Sequence, residues 1–200
     1  MRTNVRTTFL ALAIILPVSG AWSVANELLV LQPQSRLWID GTSTIRSFSC
    51  KAGEVNAVVE ASGANAIPSL LTGDKGVKAV RVTVPSERMD CGNGTMNEHM
   101  RKAIKAKEFP TVVFRATSYD LARTSESVGV TLNGSLTLGG VEKPITVQAQ
   151  AKPRADGMLV VSGTRELRMT EFGLKPPTLM LGTMKVDEKI TVGFEVVLKN

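Results

Sequence analysis

The sequence predicts an all-β protein, an antiparallel β-barrel with one inserted amphipathic helix, and three observations carry that expectation. From Leu28 to the C-terminus, apolar and polar residues alternate in segment after segment, the period of strands with one buried face. Eight or more such segments follow at the spacing of a closed sheet. A single stretch, TMNEHMRKAIKAKEFPTVVF from Thr95 to Phe114, changes to the helical period and back. A two-sheet sandwich is the alternative, because alternation alone does not separate it from a barrel.

Taken in order, the chain opens on a basic segment, MRTNVR, followed by the apolar run TTFLALAIIL, with Ser23-Val24-Ala25 offering small residues for cleavage. Residues 1–25 therefore read as a signal peptide and residues 26–200 as one domain, exported to the periplasm or secreted. A membrane anchor fits less well, since the run from Phe9 to Leu16 ends at Pro17, far short of the ~20 residues that span a bilayer. No cysteine directly follows the cleavage site, so a soluble product is expected rather than a lipid-anchored one. The two cysteines, Cys50 and Cys91, are thereby sent to an oxidising compartment and are expected to pair, two separate buried thiols being the alternative.

The early strands are short. Leu28 to Leu31 and Ser35 to Asp40 are split by Pro33, and Ile45 to Lys51 carries Phe48 and Cys50. Val55, Ala57, Val59 and Ala61 then alternate cleanly. The stretch from Gly63 to Gly76 is a loop or a small helical insertion around Leu70 and Leu71, and the pattern does not decide which. Val80, Val82 and Val84 form the next strand, and Thr111 to Tyr119 the one after the helix. Val128 to Leu138 and Ile145 to Ala151 are joined by a Gly139-Gly140 turn. Met158 to Arg168, Leu179 to Val186 and the regular Ile190 to Leu198 complete the sheet, with an irregular crossing at Phe172-Gly173-Leu174.

Within the exceptional stretch, Thr95 and Glu98 have the spacing of a capping box, which places the helix start at Thr95. At ~100° per residue, Met96, Met100, Ala103 and Ile104 share one face, opposite Arg101, Lys102 and Lys105. Pro110 cannot extend the helix and pushes Phe109 towards an extended conformation, so the chain leaves as a strand.

Charge excludes one class of function. Residues 1–25 hold two of the 24 basic residues and none of the 18 acidic ones, so the mature chain is mildly basic. Its one cationic concentration, Arg101, Lys102, Lys105 and Lys107, lacks the interleaved aromatics of a nucleic-acid surface. It reads as a solvated face favoured at a helix C-terminus, with weak attraction to anionic lipid as the sharper alternative. Catalysis is not expected either. His99 is the only histidine and reads as a hydrogen-bonded boundary residue; no nucleophile elbow, Walker loop or dinucleotide fingerprint is present. Asp187 and Glu188 read as loop charge beside a turn. The inward faces, in contrast, are long and aliphatic, with six Phe, two Trp and one Tyr in the whole chain. They form either an ordinary packed core or an apolar tunnel, to which Met96 and Met100 add adaptable side chains.

Several pieces then fall into a recognisable order: Ser35-Arg36-Leu37-Trp38 with Gly41; Met96-Asn97-Glu98-His99-Met100 leading to Phe109-Pro110-Thr111-Val112-Val113-Phe114; Asn133 to Ile145 (NGSLTLGGVEKPI); Phe172-Gly173-Leu174; and Val186 to Val192 (VDEKITV). In this order and spacing the chain resembles the YceI-like family of exported polyisoprenoid-binding proteins. The resemblance implies a lipocalin-like antiparallel barrel with a helix near one end, around a tunnel for an isoprenoid or other long-chain lipid. On that basis Leu132, Leu136, Ile145, Val147, Val192 and Phe194 are expected to line the lipid site, with Phe114, Met96 and Met100 nearer its opening. No metal, catalytic residue or cofactor is expected beyond a bound isoprenoid lipid. The expected role is a soluble carrier or reservoir with transient contact to a membrane surface. The rival is a structural or interaction module whose barrel is filled by its own side chains.

Overall fold

A computed structural model describes residues 27–179 and 182–200 of the chain. The segment read as a signal peptide, residues 1–25, lies outside the described residues. Strands β1 (Leu28–Leu31), β2 (Arg36–Ser43), β3 (Ser47–Ala52), β4 (Asn56–Ala61), β5 (Val77–Pro85) and β6 (Met89–Asp90) precede the long strands. These are β7 (Thr111–Arg123), β8 (Val128–Leu138), β9 (Val141–Pro153) and β10 (Leu159–Arg168), followed by the short β11 (Thr178–Leu179) and by β12 (Met184–Lys199).

Antiparallel pairing runs β1-β4-β5-β7-β8-β9-β10-β12, and β12 returns to β1 through Val30↔Lys199 and Leu31↔Leu198. The sheet is therefore a closed eight-stranded barrel, and closure rules out the sandwich. The remaining strands are continuations. β2 extends the line of β1 along β12 after the break that holds Pro33, β3 lies on β2, and β6 lies on β3. At the β8–β9 turn, Leu138 faces Val141 directly, so Gly139 and Gly140 must both turn at positive φ, 56° and 82°.

The two ends of the barrel differ. The undecided segment after β4 forms a short helix, α1 (Ala66–Thr72), so the chain has two inserted helices among the described residues, one more than the pattern predicted. Ala66, Ile67 and Leu70 pack with Leu29, Val128, Leu159 and Leu198 and plug that end. Tyr119 completes the plug. A bulge at Ala116/Ser118 in β7 switches the inward parity and brings the ring inside. Its hydroxyl accepts from the Val77 N–H and donates to the Val77 carbonyl, both at 3.0 Å, where β5 and β7 have stopped pairing.

At the opposite end lies α2 (Gly94–Ala103), whose start corrects the expected capping box. Asn93 is the cap: its side-chain oxygen accepts the Met96 N–H at 3.2 Å, and Thr95 lies inside the first turn. Asparagine caps as well as threonine, so the Thr-x-x-Glu spacing was outcompeted two residues upstream. Met96, Met100 and Ala103 are half-buried, and Ile104 just past the helix is 6 % exposed. The cationic face is partly tied down, since Arg101 pairs with Glu87 at 3.6 Å. Beyond it the chain exits through Phe109-Pro110 into β7 as expected, held by Ser86, whose hydroxyl donates to the Phe109 carbonyl at 2.9 Å.

Two fastenings hold α2 to the barrel from its N-terminal side. Cys50 on β3 and Cys91 between β6 and α2 form a disulfide. Asn97 donates to the Asp90 carboxylate at 2.9 Å and accepts the Cys91 N–H at 2.6 Å. The Asn97 bond first, and then the Gly92 N–H, hold the Asp90 carboxyl below its ordinary value. That tie is therefore present at neutral pH and weakens only as acid protonates the group below the usual carboxylate range. From the C-terminal side the fastening is Ile104. Ile104→Ala is expected to lower stability by about 2–3 kcal/mol, the lower part of the range for a buried Ile, because its side chain already borders an open space and forfeits fewer contacts. The check is the urea midpoint at unchanged slope; no shift would place the side chain outside the core.

Candidate functional site

The inward faces of the eight strands do not meet. They enclose a cavity of about 690 Å³ that runs from α1 to α2 and is walled almost entirely by aliphatic side chains. At the ~30 Å³ that a water-sized group occupies in a liquid, this space holds on the order of twenty heavy atoms. Burial along the wall is graded. Near α1, Val128, Ala151, Leu159 and Leu198 are at most 5 % exposed. In the middle, Val80, Val82, Val130, Leu132, Val161, Val192, Phe194 and Val196 are only half-buried although they point inwards. An inward Val or Leu in a packed barrel would touch partners on every side; here the missing partner is the cavity itself.

The α2 end is the open one. Its lining changes character to Ser43, Arg46, Asn93, Thr95, Met96 and His99, all half-buried or exposed. The Arg46 guanidinium reaches the Met96 sulfur at 3.8 Å, and Ile45, at the tip of the β2–β3 hairpin, is 60 % exposed. His99 differs from expectation. It lines this mouth and makes no hydrogen bond among the described residues, because the helix turns it towards the cavity rather than towards a neighbouring strand. No group of three or more His, Cys, Asp or Glu converges on a metal-sized site among the described residues.

All nine residues predicted to line the lipid site face this one cavity: Leu132, Leu136, Ile145, Val147, Val192 and Phe194 on the strands, with Phe114, Met96 and Met100 towards α2. Sequence reasoning passed over Leu37, Ile39 and Phe48 on the split early strands, where the breaks hide the alternation. It also passed over Arg165. The inward positions of β10 run Leu159, Val161, Gly163, Arg165 and Leu167, and a charged residue in that series reads as a surface residue unless the register is counted.

The wall is also forked. The β9–β10 ladder runs from Pro153↔Leu159 to Ala149↔Gly163 and stops there. Beyond it, β9 continues on β8 as far as Val141↔Leu138, and β10 continues on β12 as far as Arg168↔Lys189. Gly163 sits at the crotch, where a Cβ would come within 2.4 Å of the Gln148 carbonyl and 2.9 Å of the Phe194 ring. Only glycine lets the two strands and that ring approach so closely before the strands part.

The family model of the YceI-like domain matches residues 37–198. Among curated proteins, a UPF0312 protein of Pseudomonas aeruginosa is 27 % identical over 103 residues, covering 48 % of this chain and 52 % of that protein. A protein YceI of Salmonella arizonae is 30 % identical over 79 residues, covering 38 % of this chain and 39 % of that protein. The chain thus spans about half the length, or less, of the curated relatives it matches. Among solved structures, BcnA of Burkholderia cenocepacia superposes with a TM-score of 0.65 at 15 % identity, covering 82 % of this chain and 96 % of that one. A polyisoprenoid binding domain from Saccharophagus degradans, implicated in plant cell wall breakdown, gives 0.62 at 12 % identity, covering 86 % of this chain and 97 % of that one. At such identities the likeness is one of fold, a lipocalin-type barrel.

Proposed function

We propose that this chain, which belongs to the YceI-like domain family, holds the tail of an isoprenoid or other long-chain lipid in its barrel and works as an exported carrier or reservoir. The observation that carries the proposal is the half-buried aliphatic wall around about 690 Å³ of enclosed space. A barrel filled by its own side chains, the interaction-module alternative, has no use for such a wall. The polyisoprenoid binding domain among the structural neighbours adds support for the lipid class.

Energetics favour exchange over capture. Moving about twenty carbons from water would contribute ~16 kcal/mol, close to the ceiling of non-covalent affinity, but such a tail is never free in water. Its true reference is the bilayer, and passing from one apolar medium to another changes little. Binding is then reversible and needs no chemistry, which suits a carrier rather than an enzyme. The mouth fits brief membrane contact, with Ile45 exposed at the hairpin tip beside Arg46 and with Lys185 exposed on the strand next to it. Export to the periplasm or the medium agrees with the N-terminal segment and the disulfide.

The test is a transfer assay. Mature protein is mixed with anionic vesicles loaded with geranylgeraniol, a diterpene alcohol of the size the cavity admits, and the vesicles are removed by flotation. The expected result is close to one geranylgeraniol per protein in the vesicle-free fraction by mass spectrometry. None there overturns the proposal and leaves the interaction module.

A further inference from the structure

Arg165 is a charged group in an otherwise aliphatic stretch of the wall. Arg165 lines the cavity opposite Val192 of β12, between Gly163 and Leu167 on the inner face of β10. Its outward neighbours are paired, Glu166 with Lys189 at 3.6 Å and Arg168 with Glu188 at 2.6 Å. No hydrogen bond or carboxylate reaches Arg165 among the described residues. It is exposed in spite of its inward position because it lies just past the point where β9 and β10 part, with no strand paired on that side. Across the fork Lys143, which the register sets opposite Leu136, is a second exposed cation.

We infer that Arg165 is the charge partner of the ligand's head group, and that the tunnel takes a single-chain amphiphile ending in a carboxylate or a phosphate, its tail towards α1 and its head at the fork. This rests on the lipid-binding reading and adds to it the class of head group. When a tail fills the cavity, Arg165 loses water on its inner side and keeps it on its exposed side, and a ligand without a polar end returns nothing for the part that is lost. An anionic oxygen pair matches the planar fork of the guanidinium and gives a charge-assisted bond. The size of the cavity, on the order of twenty heavy atoms, suits one chain. From Arg165 to Leu159 the strand covers about 20 Å, so the α1 side of the charge has the length for such a tail.

The experiment is equilibrium partition of oleate, oleyl alcohol and geranylgeraniol from neutral vesicles into the mature wild type and Arg165→Gln, beside calorimetric titration of both with inorganic phosphate. Wild type is expected to bind oleate about ten- to a hundredfold more tightly than oleyl alcohol, the margin of one charge-assisted pair. Arg165→Gln is expected to lose that margin while keeping its affinity for the alcohol, and Arg165→Lys, which keeps the charge without the fork, to retain part of it. Equal affinities in wild type, or a margin that survives Arg165→Gln, overturn the inference and leave the lipid-binding reading intact. Inorganic phosphate bound as tightly as oleate and lost in Arg165→Gln would make the site one for a free anion and overturns it as well. If neither oleate, oleyl alcohol nor geranylgeraniol binds wild type, the lipid-binding reading falls and the inference with it.

Discussion

Replacing Cys50 and Cys91 together by alanine is expected to lower the stability of the mature protein by roughly 4 kcal/mol. The bridge spans 41 residues of sequence, and in the chain-entropy model a loop of that length restricts the unfolded state by about this amount. The effect weighs heavily here for a structural reason. A barrel with an open interior forgoes the cross-barrel contacts that stabilise a filled one, so a covalent tie replaces part of what packing would supply. The tie is also well placed: Cys50 is fully buried on β3, and Cys91 directly precedes the turn that Asn93 caps into α2. Urea titration of the double variant, and of wild type under reducing conditions, is expected to show the same lowered midpoint. Since Cys50 and Cys91 both border the cavity, alanine leaves the wall apolar and isolates the tether from the lining. A loss below about 1 kcal/mol would mean that residues 50–91 are already ordered without the bridge, and that α2 is held by Ile104 and the Asp90–Asn97 contacts alone.

What the sequence reveals and what it hides follow from how locally each feature is encoded. Long strands such as β8 and β12 announce themselves, since Leu132, Leu136, Val192 and Phe194 keep the period of two over many residues. Closure is not local. Nothing in Val30 or Leu31 states that they pair with Lys199 and Leu198, and that pairing is what separates barrel from sandwich. The α1 segment is ambiguous because its seven residues are too few for a helical period to show, and tertiary burial of Ala66, Ile67 and Leu70 decides it. The cap moved from Thr95 to Asn93 because two capping residues stood within one turn, and backbone geometry selected the earlier one. Arg165 was concealed by a sound habit of reading, since charge defaults to the surface and only a residue-by-residue register shows it on the inner face. Phe114, Leu132, Leu136, Ile145, Val147, Val192 and Phe194 face the cavity because one physical pattern, inward alternation, specifies both barrel core and tunnel wall, while Met96 and Met100 follow from the helical period of α2. That same degeneracy kept the sequence from deciding whether the space between them was filled.

Val147→Phe tests that space directly and is expected to cut affinity for geranylgeraniol by a hundredfold or more with little change in stability. Val147 is 9 % exposed, faces the cavity, and pairs with Leu132 on β8. On its other side β9 has already left β10, so a larger ring enters open space rather than a packed neighbour. The substitution adds about four heavy atoms, near a fifth of what the tunnel holds; at ~0.8 kcal/mol for each tail carbon displaced, the loss is about 3 kcal/mol of binding. Stability should move by less than about 1 kcal/mol, since the ring fills a void instead of overpacking a core. Gln148→Phe, the adjacent outward and exposed position, is the control and is expected to leave affinity unchanged. Affinity and the urea midpoint must be measured on the same preparations. If Val147→Phe binds geranylgeraniol like wild type, the tail does not pass Val147. If the variant is instead strongly destabilised and wild type takes up no lipid, the inner wall is closed in solution and the barrel serves as a scaffold for its loops.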